Sequence, residues 1–346
     1  MGEAPTPHGP AARSLIADSL RAVRKVYVAR RLLPGPIAEL DAAFATTVHD
    51  SDWPPARRDL LAAVAGMDGA VLLPTDRVDD ELLEAAGSAL QIVANHAVGF
   101  DNVNVEACSR RGVVVTNTPG VLTAATAELT IALMLDVTRR VTEGDHHIRA
   151  GNPWILAPAF MLGPGLVGRR LGIVGLGRIG LEVARLAKAF GMTIAYSGRR
   201  DLDGVDYERV GLSELLAASD IVSLHCPLTP ETHHLIDSEA LAQMQPHAVL
   251  VNTARGAIVD EGALVAALRT GRLAGAGLDV YEREPRVHPG LLGLANVVLA
   301  PHLGSATPAA REAMGRLCVE ALRAVLLERR LPENALNPEA LTVRAL

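Results

Sequence analysis

The sequence predicts an α/β protein built on parallel sheets, and three observations carry that prediction. One short run, Arg170 to Phe190, joins an apolar strand, a glycine turn and an amphipathic helix. Short apolar segments alternate with helical patterns on both sides of it, as in βαβ units. At 346 residues the chain exceeds one average domain, so two doubly wound domains are expected.

Within the central run, Leu171, Ile173 and Val174 read as the strand. Ile179, Val183, Leu186 and Ala187 recur at helical spacing until Gly191 stops the helix. Between strand and helix stands Gly175-x-Gly177-x-x-Gly180. In such a turn the first glycine allows the sharp bend, the second lets the backbone approach a pyrophosphate, and the third lets helix and strand pack closely. The unpaired N–H groups at the helix start supply an anion site. A second strand, Met192 to Tyr196, follows in the required order, so the run reads as a Rossmann-like dinucleotide-binding unit. An NAD site expects Asp or Glu at the end of that strand, on the ribose 2′-OH. This chain has Ser197-Gly198-Arg199-Arg200 instead. With no carboxylate to repel a 2′-phosphate and two guanidiniums to grip one, NADP(H) is the preferred cofactor and NAD(H) the alternative.

Composition narrows the classes. A hydrophobic content of 49% marks a folded protein, and a net charge of −6 leaves no electrostatic footprint for nucleic acid. Cys108, Cys226 and Cys318 are odd in number and far apart. That argues against a disulfide framework and a metal site, and for a reducing, cytoplasmic compartment. No apolar run approaches the ~18 residues of a membrane span, and the start of the chain lacks a signal-peptide core.

Taken in order, residues 1–24 form a flexible lead, and order begins with the strand Lys25 to Ala29. Further strands at Gly69 to Leu73, Leu90 to Ala94 and Gly112 to Thr116 build a first small α/β domain. Thr118-Pro-Gly120 breaks the pattern, and Leu122 to Val141 reads as one long helix ending near Gly144. Asn152 to Gly165 is irregular and carries Trp154 and Met161. Beyond the glycine turn, strands at Ile221 to Leu224, Ala248 to Asn252, Gly275 to Asp279 and Val297 to Ala300 complete a second sheet, and a last helix runs from about Pro308 to Glu328. A doubly wound sheet binds its ligand beyond the carboxyl ends of its strands. There stand His225-Cys226-Pro227, Asn252-Thr253-Ala254-Arg255, Asp279 with Glu284, and Pro301-His302 with Gly304. The adjacent pairs His146-His147 and His233-His234 are expected to be solvated, because neighbours one apart on a helix do not share a face.

Six stretches in this order resemble the D-isomer-specific 2-hydroxyacid dehydrogenase family. They are Val98-Gly-Phe-Asp-Asn102, Thr118-Pro-Gly with Thr126-Ala-Glu128, Gly175-Leu-Gly-Arg-Ile-Gly180, Asn252-Thr-Ala-Arg-Gly256, Gly277-Leu-Asp-Val-Tyr281 with Glu284-Pro285, and Pro301-His-Leu-Gly304. The likeness runs from about Lys25 to Leu331, and within the family it is similar to the glyoxylate and hydroxypyruvate reductases through Ser197-Gly-Arg199. The resemblance implies a substrate-binding domain of residues 25–121 plus 305–346, an NAD(P)-binding domain of residues 122–304, and an active site in the cleft between them. It further implies homodimers through the cofactor domains, a small 2-keto or 2-hydroxy acid as substrate, and no metal. With few residues after Leu331, the regulatory C-terminal domain of some family members is not expected.

Arg255, Glu284 and His302 are then the expected catalytic set. A 2-keto acid presents a carboxylate beside a ketone, so its site needs a permanent planar cation and a proton donor. Arg255 can bond both groups, at about 1.5 to 3 kcal/mol for each charge-assisted bond. His302 would protonate the ketone oxygen as hydride arrives, while Glu284 holds its tautomer. The resemblance adds the backbone N–H groups of Val98 and Gly99 for the substrate carboxylate, and Thr232, Asp279 and Gly304 on the nicotinamide side. Arg178, Ile179, Cys226, Pro227, Thr253 and Ala254 complete the expected cofactor contacts. Glyoxylate, hydroxypyruvate and a larger acid such as 2-ketogluconate all present the same two groups to Arg255. A non-catalytic NAD(P)-sensing protein of the corepressor kind keeps the same Arg, Glu and His and stands as the alternative. A methyltransferase using the glycine turn would leave those three residues without a task.

Overall fold

The structure, a computed structural model, describes residues 23–199, 201 and 204–343. The expectations for the lead before residue 23 and for Arg200 lie outside the described residues. By its contacts the chain divides into two units, one reaching Thr118 and resuming at Gly315, the other Pro119–Met314.

The first unit holds strands β1 (Lys25–Val28), β2 (Ala45–Val48), β3 (Gly69–Leu72), β4 (Ile92–Asn95) and β5 (Val114–Thr116), all parallel, in the order β2-β1-β3-β4-β5. Helices α1 (Pro34–Ala43), α2 (Arg57–Val64), α3 (Asp80–Ala86) and α4 (Val105–Arg110) connect them. Strands β3, β4 and β5 are buried along their whole length, which is why they read as continuous apolar runs. The sequence pattern missed β2, because this edge strand alternates exposed and half-buried residues in Ala-Thr-Thr-Val and buries no apolar stripe.

The second unit opens with α5 (Thr123–Arg139) and α6 (Val141–Arg149). The expectation of a single helix ending near Gly144 is corrected here. Arg140 takes the left-handed conformation at φ 56° and ends α5. The Asp136 carboxylate accepts from the Thr142 amide and hydroxyl, each at 2.7 Å, and Arg140 pairs with Glu143 at 2.6 Å, so the second helix starts at once and runs past Gly144. Its sheet follows: β6 (Arg170–Val174), α7 (Arg178–Ala189), β7 (Thr193–Ser197), β8 (Glu208–Arg209), α8 (Leu212–Ala218), β9 (Ile221–Leu224), α9 (Ser238–Gln243), β10 (Val249–Asn252), α10 (Glu261–Arg269), β11 (Gly275–Leu278) and β12 (Val297–Leu299). The seven strands are parallel in the order β12-β11-β10-β9-β6-β7-β8. Both faces are covered: one core gathers Leu224, Leu250 and Leu278 under Leu215 and Leu264, the other Leu171, Ile173 and Val251 under Ile131, Met134 and Val183. Each such buried side chain stabilises the fold by about 1.5–3 kcal/mol. The strand order reverses between β6 and β9, and a crevice opens at such a switch point beyond the carboxyl ends.

Helix α11 (Pro308–Leu326) begins in the second unit and ends in the first, where a short α12 (Ala340–Val343) follows. Among the described residues no helix is long and apolar enough to cross a membrane.

Candidate active site

The glycine turn shows why each glycine is required. Gly175 has φ 93°, and a Cβ there would lie 2.6 Å from the Cys226 amide nitrogen, so no side chain fits. Gly180 presses α7 onto β6, its virtual Cβ only 2.5 Å from the Gly175 carbonyl oxygen. At Gly177 a Cβ would meet nothing within 4 Å. Gly177 is also the N-cap of α7, where no side chain caps the helix. Gly175, Leu176 and Gly177 line a cavity at this helix start, the arrangement that takes a pyrophosphate, and the turn fits a dinucleotide.

A cavity of about 660 Å³ lies at the switch point, beyond the ends of β6, β7 and β9. Of the expected cofactor contacts it gathers Gly175, Gly177, Ser197, Arg199, Cys226, Pro227 and Thr232. Arg178, Ile179 and Gly180 form the first turn of α7 beside it. Thr253, Ala254, Asp279 and Gly304 do not line it and stand at the ends of β10 to β12. The Thr253 hydroxyl is committed to Thr130 of α5 at 2.9 Å. Burial pushes the Cys226 thiol up to about 11, so it meets the cavity as a neutral group.

Two features of this wall were missed by the sequence reading. Arg209 on β8 donates from Nε and Nη2 to the Gly198 carbonyl at 3.1 and 2.9 Å and from Nη1 to Asp201 at 3.1 Å, which ties down the loop carrying Arg199. A two-residue edge strand leaves no sequence signal. Glu231 also lines the cavity, its carboxyl held below the usual range by the Thr229 hydroxyl and, more weakly, by the Arg199 guanidinium. A second cavity of about 430 Å³, lined by Asp136, Arg140, Pro164 and Asn296 among others, lies at the opposite edge of the sheet, away from all these groups.

The strand ends of β10, β11 and β12 form one connected array. Asn252 shapes the turn after β10, accepting from the Ala254 amide at 3.0 Å and donating to the Arg255 carbonyl at 2.9 Å. Arg255 is half-buried and donates from Nη1 to the Ala254 carbonyl at 2.8 Å. Gly256 lies so close to Tyr281 that a Cβ would overlap its carbonyl carbon at 1.8 Å, so the loops after β10 and β11 touch through backbone. From that second loop the Tyr281 amide donates to Glu284 Oε1 at 3.1 Å. Glu284 Oε2 then meets His302 Nδ1 at 2.7 Å.

His302 stands at φ 55°, a conformation uncommon for any residue but glycine. Asp279 holds it there. Its carbonyl accepts the His302 amide at 2.9 Å, and its carboxylate accepts the Leu303 and Gly304 amides at 2.6 and 2.8 Å. Asp279 is fully buried, and that burial, with Glu284 nearby, pushes its pKa up. The Glu284 and His302 side chains remain 27% and 37% exposed, within reach of a small substrate.

In the first unit, Val98 and Gly99 lie in the loop after β4. The Val98 carbonyl accepts from Asn117 Nδ2 and the Gly99 carbonyl from Asn95 Nδ2, each at 2.8 Å. Asn95 and Asn117 are buried. Both interrupt apolar strand ends, the one signal by which the sequence could have marked them.

The expectation that both histidine pairs are solvated is corrected for His147, which is half-buried with its ring against Phe160 and its Nε2 at 3.0 Å from the Pro153 carbonyl, and for His234. His234 is half-buried and bonds Glu282 Oε1 through Nε2 at 3.0 Å, with its ring stacked on His233 at 4.1 Å between centroids. Residues 233 and 234 lie in a turn and not on a helix, so the facing rule for helices does not govern them.

The chain is similar in sequence and in fold to several known proteins. The profile of the D-isomer specific 2-hydroxyacid dehydrogenase NAD binding domain matches residues 131–304. A glyoxylate reductase of Aeropyrum pernix is 47% identical over 332 residues, which cover 92% of this chain and 98% of that protein. That of Thermococcus litoralis is 45% identical over 92% of this chain and 98% of its own length. Among solved structures, the TT0316 protein of Thermus thermophilus superposes with a TM-score of 0.85 at 46% identity, covering 90% of this chain and 99% of that one. An NADPH-dependent glyoxylate/hydroxypyruvate reductase of Sinorhizobium meliloti, in complex with NADP and malonate, superposes with a TM-score of 0.81 at 35% identity over 92% and 98% of the two chains.

Proposed function

This chain belongs to the D-isomer-specific 2-hydroxyacid dehydrogenase family, an NAD(P)-dependent oxidoreductase, and on that premise we propose that it reduces glyoxylate to glycolate, or hydroxypyruvate to the D-2-hydroxy acid, with NADPH. The observation that carries the proposal is the 2.7 Å bond between His302 Nδ1 and Glu284 Oε2. With Nδ1–H donated to the carboxylate, Nε2 is the nitrogen left to exchange a proton with substrate. The bound nicotinamide supplies or takes up hydride.

In reduction, Arg255 binds the substrate carboxylate and polarises the neighbouring carbonyl. Protonated His302 gives its Nε2 proton to the carbonyl oxygen, and Glu284 stabilises the orientation in which it does so. In oxidation the neutral ring takes that proton back. In this reading the first unit is the substrate-binding domain, and the backbone amides of Val98 and Gly99 are its carboxylate-binding groups. The second unit binds the dinucleotide. Thr232, Asp279 and Gly304 serve its nicotinamide side.

NADPH preference is supported by Ser197 in place of a carboxylate, by Arg199 at the cavity and by Arg209 behind it. The Sinorhizobium reductase, NADPH-dependent by its name, offers a parallel. The assay is a steady-state screen of glyoxylate, hydroxypyruvate and 2-ketogluconate with NADPH and NADH. Absence of turnover with all three would favour the corepressor-like alternative.

We further propose a homodimer. Trp154, Ile155, Leu156 and Leu162 of the second unit are 62, 69, 99 and 68% exposed within one short stretch, and large apolar side chains grouped at the surface mark protein–protein contacts. Light scattering should give a dimer mass, and Leu156→Glu should lower it. A monomer mass in the unsubstituted protein overturns the assignment. Cys108, Cys226 and Cys318 stand as free thiols, which supports a cytoplasmic setting.

A further inference from the structure

We propose that His234 is a positioning residue for Glu284, acting through Glu282 to tie the wall of the dinucleotide cavity to the loop that presents the proton-donor pair. This rests on the reading of Glu284 and His302 given above.

Residues Thr229, Glu231, Thr232 and Leu235 line the cavity, and His234 lies within that segment but turns away from it. Its backbone is held at φ 50°, a conformation that a residue with a Cβ adopts only under constraint. The constraint is visible on both sides. The His234 amide donates to the Ala257 carbonyl at 2.8 Å, and the Ile236 amide to the Ile258 carbonyl at 3.0 Å, which docks the segment onto the turn that follows Arg255. Its ring Nε2 meets Glu282 Oε1 at 3.0 Å.

Glu282 in turn is locked in place. The same Oε1 accepts the Glu261 amide at 3.0 Å, while the Glu282 amide donates to Glu261 Oε1, also at 3.0 Å. The Glu261 side chain is almost wholly buried at the start of α10, and burial pushes its pKa up. Glu282 lies two residues before Glu284 and next to Tyr281, whose amide holds Glu284 Oε1. Glu282 is therefore gripped by α10 on one side and by His234 on the other, and the loop bearing Glu284 inherits that position. The His302 to Glu284 bond at 2.7 Å demands such precision, since a small displacement of an acid–base pair costs rate out of proportion to its size. The stacking of His234 on His233 orients its ring for the bond to Glu282.

The test uses the full chain with glyoxylate and NADPH. His234→Leu removes the donor, and His234→Gln restores an N–H at the end of the side chain. His234→Leu should lower kcat about tenfold with the KM for glyoxylate within about twofold, and His234→Gln should recover most of kcat. In a Glu284→Gln background, His234→Leu should cost less than about twofold more, because the group it positions has already been disabled. If His234→Leu fails to fold, His234→Ala, which also removes the donor, serves in the same cycle. The proposal is overturned if His234→Gln is as slow as His234→Leu, or if the two losses multiply in full. If Glu284→Gln alone leaves kcat unchanged, the acid-pair reading falls and takes this inference with it. If Glu284→Gln is slow and His234→Leu is not, only the inference falls.

Discussion

Acidification should destabilise the unit that carries the glycine turn, and His225 should account for about 2 kcal/mol of the loss near pH 5. This histidine follows β9 and borders the cavity, with its Nε2 at 2.8 Å from the Ser223 hydroxyl. The protein packed around it deprives an imidazolium of water and pushes its pKa down from 6.5 to about 4. An unfolded chain takes up this proton as the pH falls through 6.5, the folded chain only near 4. Between those limits the unfolded state binds more protons, so stability is full above the unfolded value and declines as the pH falls. At about 1.4 kcal/mol per pH unit, about 2 kcal/mol is gone near pH 5 and about 3 kcal/mol once both states are protonated. His225→Asn keeps a polar neighbour for Ser223 without a titrating ring. Urea midpoints followed by circular dichroism in wild type and variant, from about pH 8 to about pH 5, isolate the contribution, because the buried carboxylates titrate alike in both. Identical pH dependence in the two proteins would show that His225 is as easily protonated folded as unfolded, and the inference from burial would be refuted.

Arg255→Lys should lower kcat/KM for glyoxylate by about a hundredfold with an unchanged melting temperature, because an ammonium cannot present a planar fork to carboxylate and ketone together. Wild-type turnover in that variant removes Arg255 from the site. Replacing Arg199 and Arg200 together by Ala should raise the KM for NADPH about tenfold and leave that for NADH alone. An equal rise for both cofactors would make the pair structural. Gly180→Ala would set a methyl 2.5 Å from the Gly175 carbonyl. It should cost about 1–3 kcal/mol of stability and weaken dinucleotide binding in calorimetry, and a variant unchanged in both would mean that α7 can lift off β6 freely.

The sequence by itself determined whatever depends on local spacing. Apolar runs buried on both faces mark β3 to β6 and β9 to β11, and the three glycines mark a bend, an open approach and a helix contact because each need is met within a few residues. Parallel order then puts Arg255, Glu284 and His302 after adjacent strands, so their common edge was legible before any distance was known. Tertiary structure alone decided the rest. Arg140, His234 and His302 take left-handed backbone at residues whose own chemistry disfavours it, and each is held by partners such as Glu143, Glu282 and Asp279. Asn95 and Asn117 act on the loop carbonyls of Val98 and Gly99 only after the strands of the first unit have paired. Arg209 reaches Gly198 only because a two-residue strand pairs at the sheet edge. Spacing records what neighbours along the chain require, whereas left-handed turns and second-layer hydrogen bonds are stabilised by residues distant in sequence, and no local pattern encodes those.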